Sequence, residues 1–193
     1  QKEGPYPPSD SATGLRARCG FALVRLRVGD ALEVLADLMT DPEPSVRAAG
    51  AEAVAYHGDE RGIALLRMKL RHGDPEPDAL SAAALAYMRL APPAGLVWAS
   101  GMLIGGSRDA REAAAIALGE ARLEGALEPL VAYLERVQSE GDTRVAVAAL
   151  LMLRSERALT RLREFGAERR DAHGTIARDA LARYDRALRG EAE

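Results

Sequence analysis

The sequence predicts an all-α fold, a right-handed α-solenoid of about five stacked helical hairpins closed by a C-terminal capping helix. Three observations lead there. An opening pattern recurs with its key position at Arg16, Arg47, Leu80, Arg111 and Arg144, at spacings of 31, 33, 31 and 33 residues. Seven positions further on an apolar residue returns each time, at Leu23, Val54, Tyr87, Leu118 and Leu151. The tetrapeptide Asp-Pro-Glu-Pro then closes two units, over residues 41–44 and 74–77. A helix pair of this length cannot bury its apolar stripe alone, so each unit must stack on the next.

Residues 1–11 are polar and carry Pro5, Pro7 and Pro8, so they read as an extended arm or linker, and residues 12–190 as the repeat domain. Ahead of the key positions stand Ser45, Asp78, Asp109 and Asp142, residue types suited to capping the first turn of each opening helix. Gly29-Asp30, Gly58-Asp59-Glu60, Pro92-Pro93 and Glu124-Gly125 mark the bends inside the pairs. The fourth unit is the clearest. Its first helix, 110–121, sets Ala114, Ile116, Ala117 and Leu118 on one arc, and its second, 125–136, spaces Leu127, Leu130 and Leu134 helically. Pro129 falls in a first turn, where proline is tolerated. Residues 171–189 form one last helix with a stripe of Ile176, Ala177, Ala180, Leu181, Tyr184 and Leu188. Arg178, Arg183, Arg186 and Arg189 on its other side suit a terminal cap.

Composition narrows the function. Hydrophobic residues make up 48% of the chain but aromatic ones only 4%, so alanine and leucine must fill the core and let helices approach closely. A net charge of -3 argues against a general nucleic-acid binder, which needs a basic surface for phosphates. No apolar run is long enough to span a bilayer. The single Cys19 allows no internal disulfide and is compatible with a cytoplasmic location, while the start at Gln1 leaves export after removal of a leader open.

Asp109, Arg111 and Ala114 form an Asp-x-Arg-x-x-Ala motif, followed by Ala117-Leu118-Gly119-Glu120 and Ala126-Leu127-Glu128-Pro129-Leu130. Ser45-Val46-Arg47-Ala48-Ala49 repeats its opening. These units resemble HEAT-like repeats, in particular the short bacterial kind of phycobilisome lyase-type and related families. The resemblance implies an armadillo-like stack in which the opening arginine pairs with an acidic turn residue of a neighbouring repeat. Arg16, Arg47, Arg111 and Arg144 would be its rungs, with Asp109 and Asp142 among the acidic residues and Leu80 a missing rung. Its members include enzyme subunits, lyases, adaptors and assembly factors.

No catalytic constellation is visible, and no metal or cofactor is expected. His57, His72 and His173 lack the spacing of a metal site, and His57 and His72 close helices, where they suit the negative end of the dipole. Cys19 reads as a buried structural thiol. Gly101, Gly105 and Gly106 are followed by no Gly-Lys-Ser/Thr, so close helix packing is the plainer account of Gly101. The basic segment from Arg157 to Arg170 is interleaved with Glu156, Glu164 and Glu168, which suits a solvated face of mixed charge.

The stretch over residues 90–107 is the distinctive one: it carries no charge and holds the single tryptophan, Trp98. Its equivalents carry charges, at Glu33 and Asp37, at Arg67 and Lys69, and at Glu135 and Arg136. Alignment on Leu38, Leu70, Leu103 and Leu134 puts Asp37, Lys69, Met102 and Tyr133 in one row, with Trp98 in the next. The plainer reading of this helix is the middle of the stack, with Trp98 packed between repeats; the other is an exposed apolar patch for a partner. The expected function is a non-catalytic protein-interaction scaffold whose concave face takes a protein or peptide, on the second reading at Trp98, Met102, Tyr133, Lys69 and Asp37. A lyase-type or enzyme-accessory module handling a bound small molecule or chromophore is the alternative.

Overall fold

The chain is described from residue 12 to residue 190 in a computed structural model, so the arm expected over residues 1–11 lies outside the described residues. Within them the chain is helical, with no strand. The helices are α1 (Thr13–Arg25), α2 (Ala31–Leu38), α3 (Pro44–His57), α4 (Arg61–His72), α5 (Pro77–Leu90), α6 (Pro92–Gly105), α7 (Arg108–Ala121), α8 (Leu127–Arg136), α9 (Glu140–Met152), α10 (Glu156–Glu168) and α11 (Ala172–Leu188). A short 3-10 turn, Glu124–Ala126, leads into α8. Five successive pairs, α1/α2 to α9/α10, followed by a lone α11, make an all-α solenoid.

Odd helices form one layer, each packed on the next from α1 through α11, while even helices form the other and meet one another chiefly at α6–α8 and α8–α10. Small residues explain the tight odd layer. Ala83, Ala84 and Ala86 of α5 and Ala113, Ala114 and Ala117 of α7 are all buried, and alanine lets two helix axes close up. Glycine goes further where even a methyl group would collide. A Cβ on Gly119 would lie 2.6 Å from the Ala149 carbonyl oxygen, and one on Gly95 2.6 Å from Met88 Cα. Gly101 is a different case. Nothing lies within 4 Å of its would-be Cβ, so close packing does not explain it.

The expected caps are displaced. Pro44 and Pro77 open α3 and α5, because proline at a first helical position forfeits no intrahelical hydrogen bond. The flanking residues are therefore Glu43 and Glu76, and Ser45 and Asp78 lie inside the first turn. In α7 and α9 the capping is done by Ser107 and Ser139, whose hydroxyls accept from the N–H groups of Ala110 and Asp142. Asp109 and Asp142 sit within those first turns, where a carboxylate still suits the positive end of the dipole. A true aspartate cap occurs at α11, where Asp171 accepts from the Gly174 N–H.

The terminal helix α11 buries Ala177 and Leu181 and leaves Ile176, Ala180 and Tyr184 half-buried. Leu188, expected on the same stripe, is exposed near the end of the helix. Arg178 does more than face water: its guanidinium donates to the carbonyls of Gly166 and Arg169 and so ties α11 to the end of α10. Cys19 is exposed rather than buried, because Gly20 and Val24 take the inward positions of α1.

Candidate functional site

Two features organise the surface: a ladder of ion pairs along the turns and the face built by the even helices. In the ladder, Arg16 makes a bidentate pair with Asp41, at 2.8 and 2.9 Å. Arg47 repeats this on Asp74, with both bonds at 2.7 Å, and also donates to the carbonyls of Asp41 and Pro42. Lys69 adds a second cation, with Nζ 2.6 Å from Asp74. The Asp74 carboxylate is fully shielded. Burial alone would raise its pKa, but the hydrogen bonds from Arg47, Lys69 and the Glu76 N–H outweigh that and hold it well below the usual carboxylate range. At Asp41 the hydrogen bond from Arg16 does most of the lowering, aided by the Glu43 N–H.

Beyond the third repeat the ladder loosens. Arg111 stands 3.5 Å from Asp142, and Tyr133 is buried beside both, its hydroxyl completing no hydrogen bond of normal geometry. Burial pushes the Tyr133 phenol up. Among the described residues Arg144 makes no inter-repeat rung. It pairs with Glu140 on its own helix, since Asp171 in the next turn is taken by Arg169. The last seam is held instead by Thr143, whose hydroxyl lies 2.6 Å from His173 Nδ1. Asp109 is exposed and joins no rung among the described residues.

The even-helix face runs from α2 to α10. Its buried series is Ala31 and Leu35 in α2 with Met39 just past its end, Gly62, Leu66 and Leu70 in α4, and Gly95, Ala99 and Leu103 in α6. This corrects the alignment read from the sequence. Met39, not Leu38, is in register with Leu70, so Leu38 falls in the row of Lys69, Met102 and Tyr133 while Asp37 faces water. Of that row, Tyr133 is buried and Lys69 is engaged by Asp74, so neither flanks an exposed patch as expected. Trp98 and Met102 are half-buried and pack against the core. The most exposed apolar groups of α6 are Val97, at 76%, and Ile104, at 70%. They lie seven residues apart, on the side of the helix away from buried Ala99 and Leu103, a side that the sequence of an all-apolar helix does not mark.

Grooves open between α2 and α4 and between α8 and α10. The α2–α4 groove, of about 390 Å3, has an apolar floor of Met39, Leu65 and Met68 with Lys69 at its rim. The charged segment of α10 makes pairs across repeats, Arg157 with Glu128 and Arg161 with Glu135. Among the described residues, no group of three His, Cys, Asp or Glu side chains could hold a metal ion, and no helix is long and apolar enough to cross a membrane.

Comparison with known proteins gives three results. Residues 9–88 match the family model of HEAT repeats. No curated protein matches the chain. Among solved structures, human deoxyhypusine hydroxylase in complex with glycerol is 22% identical, the match covering 91% of this chain and 69% of that one with a TM-score of 0.39. A likeness that loose carries no argument about activity. The repeat match marks HEAT repeats over residues 9–88, and the same helix-pair architecture continues beyond them to α10.

Proposed function

We propose that the protein is a non-catalytic interaction scaffold that presents its even-helix face to a protein or peptide partner. The observation that carries this reading is α6. A surface helix with no charge, exposing Val97 and Ile104 beside half-buried Trp98 and Met102, leaves an apolar patch toward water at the middle of the stack. Such patches mark interaction surfaces more often than structural necessity. Stacked repeats also offer an extended surface of the kind that binds chains. The test is retention of partners on the wild-type protein against a Val97→Ser/Ile104→Ser variant, with melting temperatures measured in parallel. Both side chains are exposed, so the variant should melt within about 2 °C of wild type and lose its partners. Unchanged retention would remove α6 from the binding face.

A second reading, a lyase-type or enzyme-accessory module handling a small molecule or chromophore, draws on the α2–α4 groove. Its volume of about 390 Å3 falls in the lower range of ligand pockets, and its floor is apolar. Co-purification of a coloured or small organic compound that Met68→Glu abolishes would favour this reading over the first.

A further inference from the structure

The α2–α4 and α8–α10 grooves match in register. In the α2–α4 groove Ala36, Met39 and Thr40 face Leu65, Met68 and Lys69. In the α8–α10 groove Val131, Leu134 and Glu135 face Arg161, Glu164 and Phe165. The two linings occupy the same repeat positions, as the buried series through Leu70, Leu103 and Leu134 requires. Carried to the groove between α4 and α6, those positions are Arg67, Leu70 and Arg71 on one wall and Trp98, Gly101 and Met102 on the other.

That groove differs from its neighbours in its charge balance. The cation of the α2–α4 groove, Lys69, is engaged by Asp74. In the α8–α10 groove Arg161 is engaged by Glu135 and Glu164. Arg67 and Arg71 are exposed and, among the described residues, form no ion pair. The facing helix α6 supplies no carboxylate, because it has no charged residue at all. The repeat register therefore sets two guanidiniums one helical turn apart on the α4 wall, with an indole and a thioether opposite on a charge-free α6.

We propose that the α4–α6 groove binds an acidic peptide segment, with carboxylates on Arg67 and Arg71 and an apolar anchor against Trp98 and Met102. The proposal rests on the scaffold reading and names the chemistry of the partner. Guanidinium binds carboxylate through two parallel hydrogen bonds, and an apolar wall strengthens such pairs by lowering the local dielectric. A peptide fits better than a nucleic acid. Two arginines and one tryptophan give neither a continuous phosphate track nor a row of stacking platforms, and the chain as a whole carries a charge of -3.

The test pans a tryptophan-free random peptide library on the full chain. Each selected peptide is then titrated against wild type, Arg67→Gln and Arg71→Gln, with the fluorescence of Trp98, the single tryptophan, as the reporter. Glutamine keeps a similar helix propensity at these exposed positions, so both variants fold. The expected result is enrichment of Asp and Glu next to a large apolar residue, a shift in Trp98 emission on binding, and affinity about tenfold weaker for each arginine removed. Selected peptides without carboxylates, or acidic ones that bind both variants as well as wild type, would overturn this proposal and leave the scaffold reading standing. A library that yields no binder at all would count against both. A single-stranded RNA oligomer, or a second copy of the chain seen as concentration-dependent self-association, that shifts the Trp98 emission more strongly than any acidic peptide would assign the groove to that occupant instead.

Discussion

Leu80 and Ser107 stand in register with Arg47 and Asp74, so the third repeat has lost both halves of the ion pair together. No carboxylate is left orphaned, and Ser107 is free to cap α7 through its bond with the Ala110 N–H, at 3.2 Å. The seam is closed by packing instead, with Leu80 buried among the alanines of α5 and α7. Leu80→Arg alone should therefore lower stability by about 3 kcal/mol or more, since it buries a charge with no partner. Adding Ser107→Asp should recover about 1 kcal/mol or more of that loss. Urea unfolding of the two single variants and the double variant would measure the coupling, and strict additivity would disprove the register.

Asp74 holds two cations in a shielded site, with Arg47 only 9% and Lys69 14% exposed. Asp74→Asn should cost about 3–5 kcal/mol, because it leaves both charges uncompensated. Asp142→Asn, at a rung of 3.5 Å with more exposed partners, should cost about 1 kcal/mol or less. Equal losses in denaturant titrations would contradict the ordering of the rungs.

The same carboxylates set an acid limit. Asp41 and Asp74 both have folded pKa values held below the ordinary aspartate value. A depressed carboxylate contributes stability that is fully present above its unfolded pKa and is lost as pH falls through the folded one. The melting temperature should be flat near neutrality and fall progressively below about pH 4. In Asp74→Asn the fall should be shallower, because one of the two groups no longer titrates.

Three glycines on helices should respond differently to alanine. At Gly95 and Gly119 the new methyl group would meet backbone atoms of Met88 and Ala149, which cannot swing away. Each substitution should lower stability by about 2 kcal/mol or more, as overpacking does. Gly101→Ala meets open space and should stabilise by about 0.5–1 kcal/mol through helix propensity. Thermal melts of the three variants would decide this, and a destabilised Gly101→Ala would show a contact at α6 that the structure lacks.

Trp98 is half-buried and packs on the core, so it belongs to the stack and to the groove at once. Trp98→Ala should cost about 2 kcal/mol, less than a fully buried truncation. Wild-type emission should lie between those of exposed and buried indole and be partly quenched by acrylamide. Full protection from the quencher would close the α4–α6 groove.

Most of the fold was legible because a period of 31 to 33 residues and recurrent proline turns both reflect the helix pair itself. Helix starts were misplaced by a few residues, since an aspartate near a helix start reads equally well as a cap or as a first-turn residue; Asp109 and Asp142 are the second kind. The face of α6 was legible as charge-free, but its exposed members were not, because an all-apolar helix has no polar side to orient it. Val97 and Ile104 emerge only once Ala99 and Leu103 are known to point inward. The register of α2 slipped by one because Leu38 and Met39 are equally apolar, and only burial separates them. The second cation at Asp74 lay out of reach of any repeat pattern, since Lys69 has no counterpart in the other repeats.

The missing rung also bears on the order in which the chain comes apart. Ionic seams flank the α3–α5 and α7–α9 contacts, whereas no ion pair joins α5 to α7 among the described residues and both helices bury mainly alanine and other apolar side chains. Acid and salt act on charges and leave apolar contact largely untouched. Under those conditions the array should fray from its two ends inward, with the slowest-exchanging amide hydrogens confined to α5 and α7. The same central pair would then be the first to assemble on refolding, a seed onto which the outer repeats close one after another.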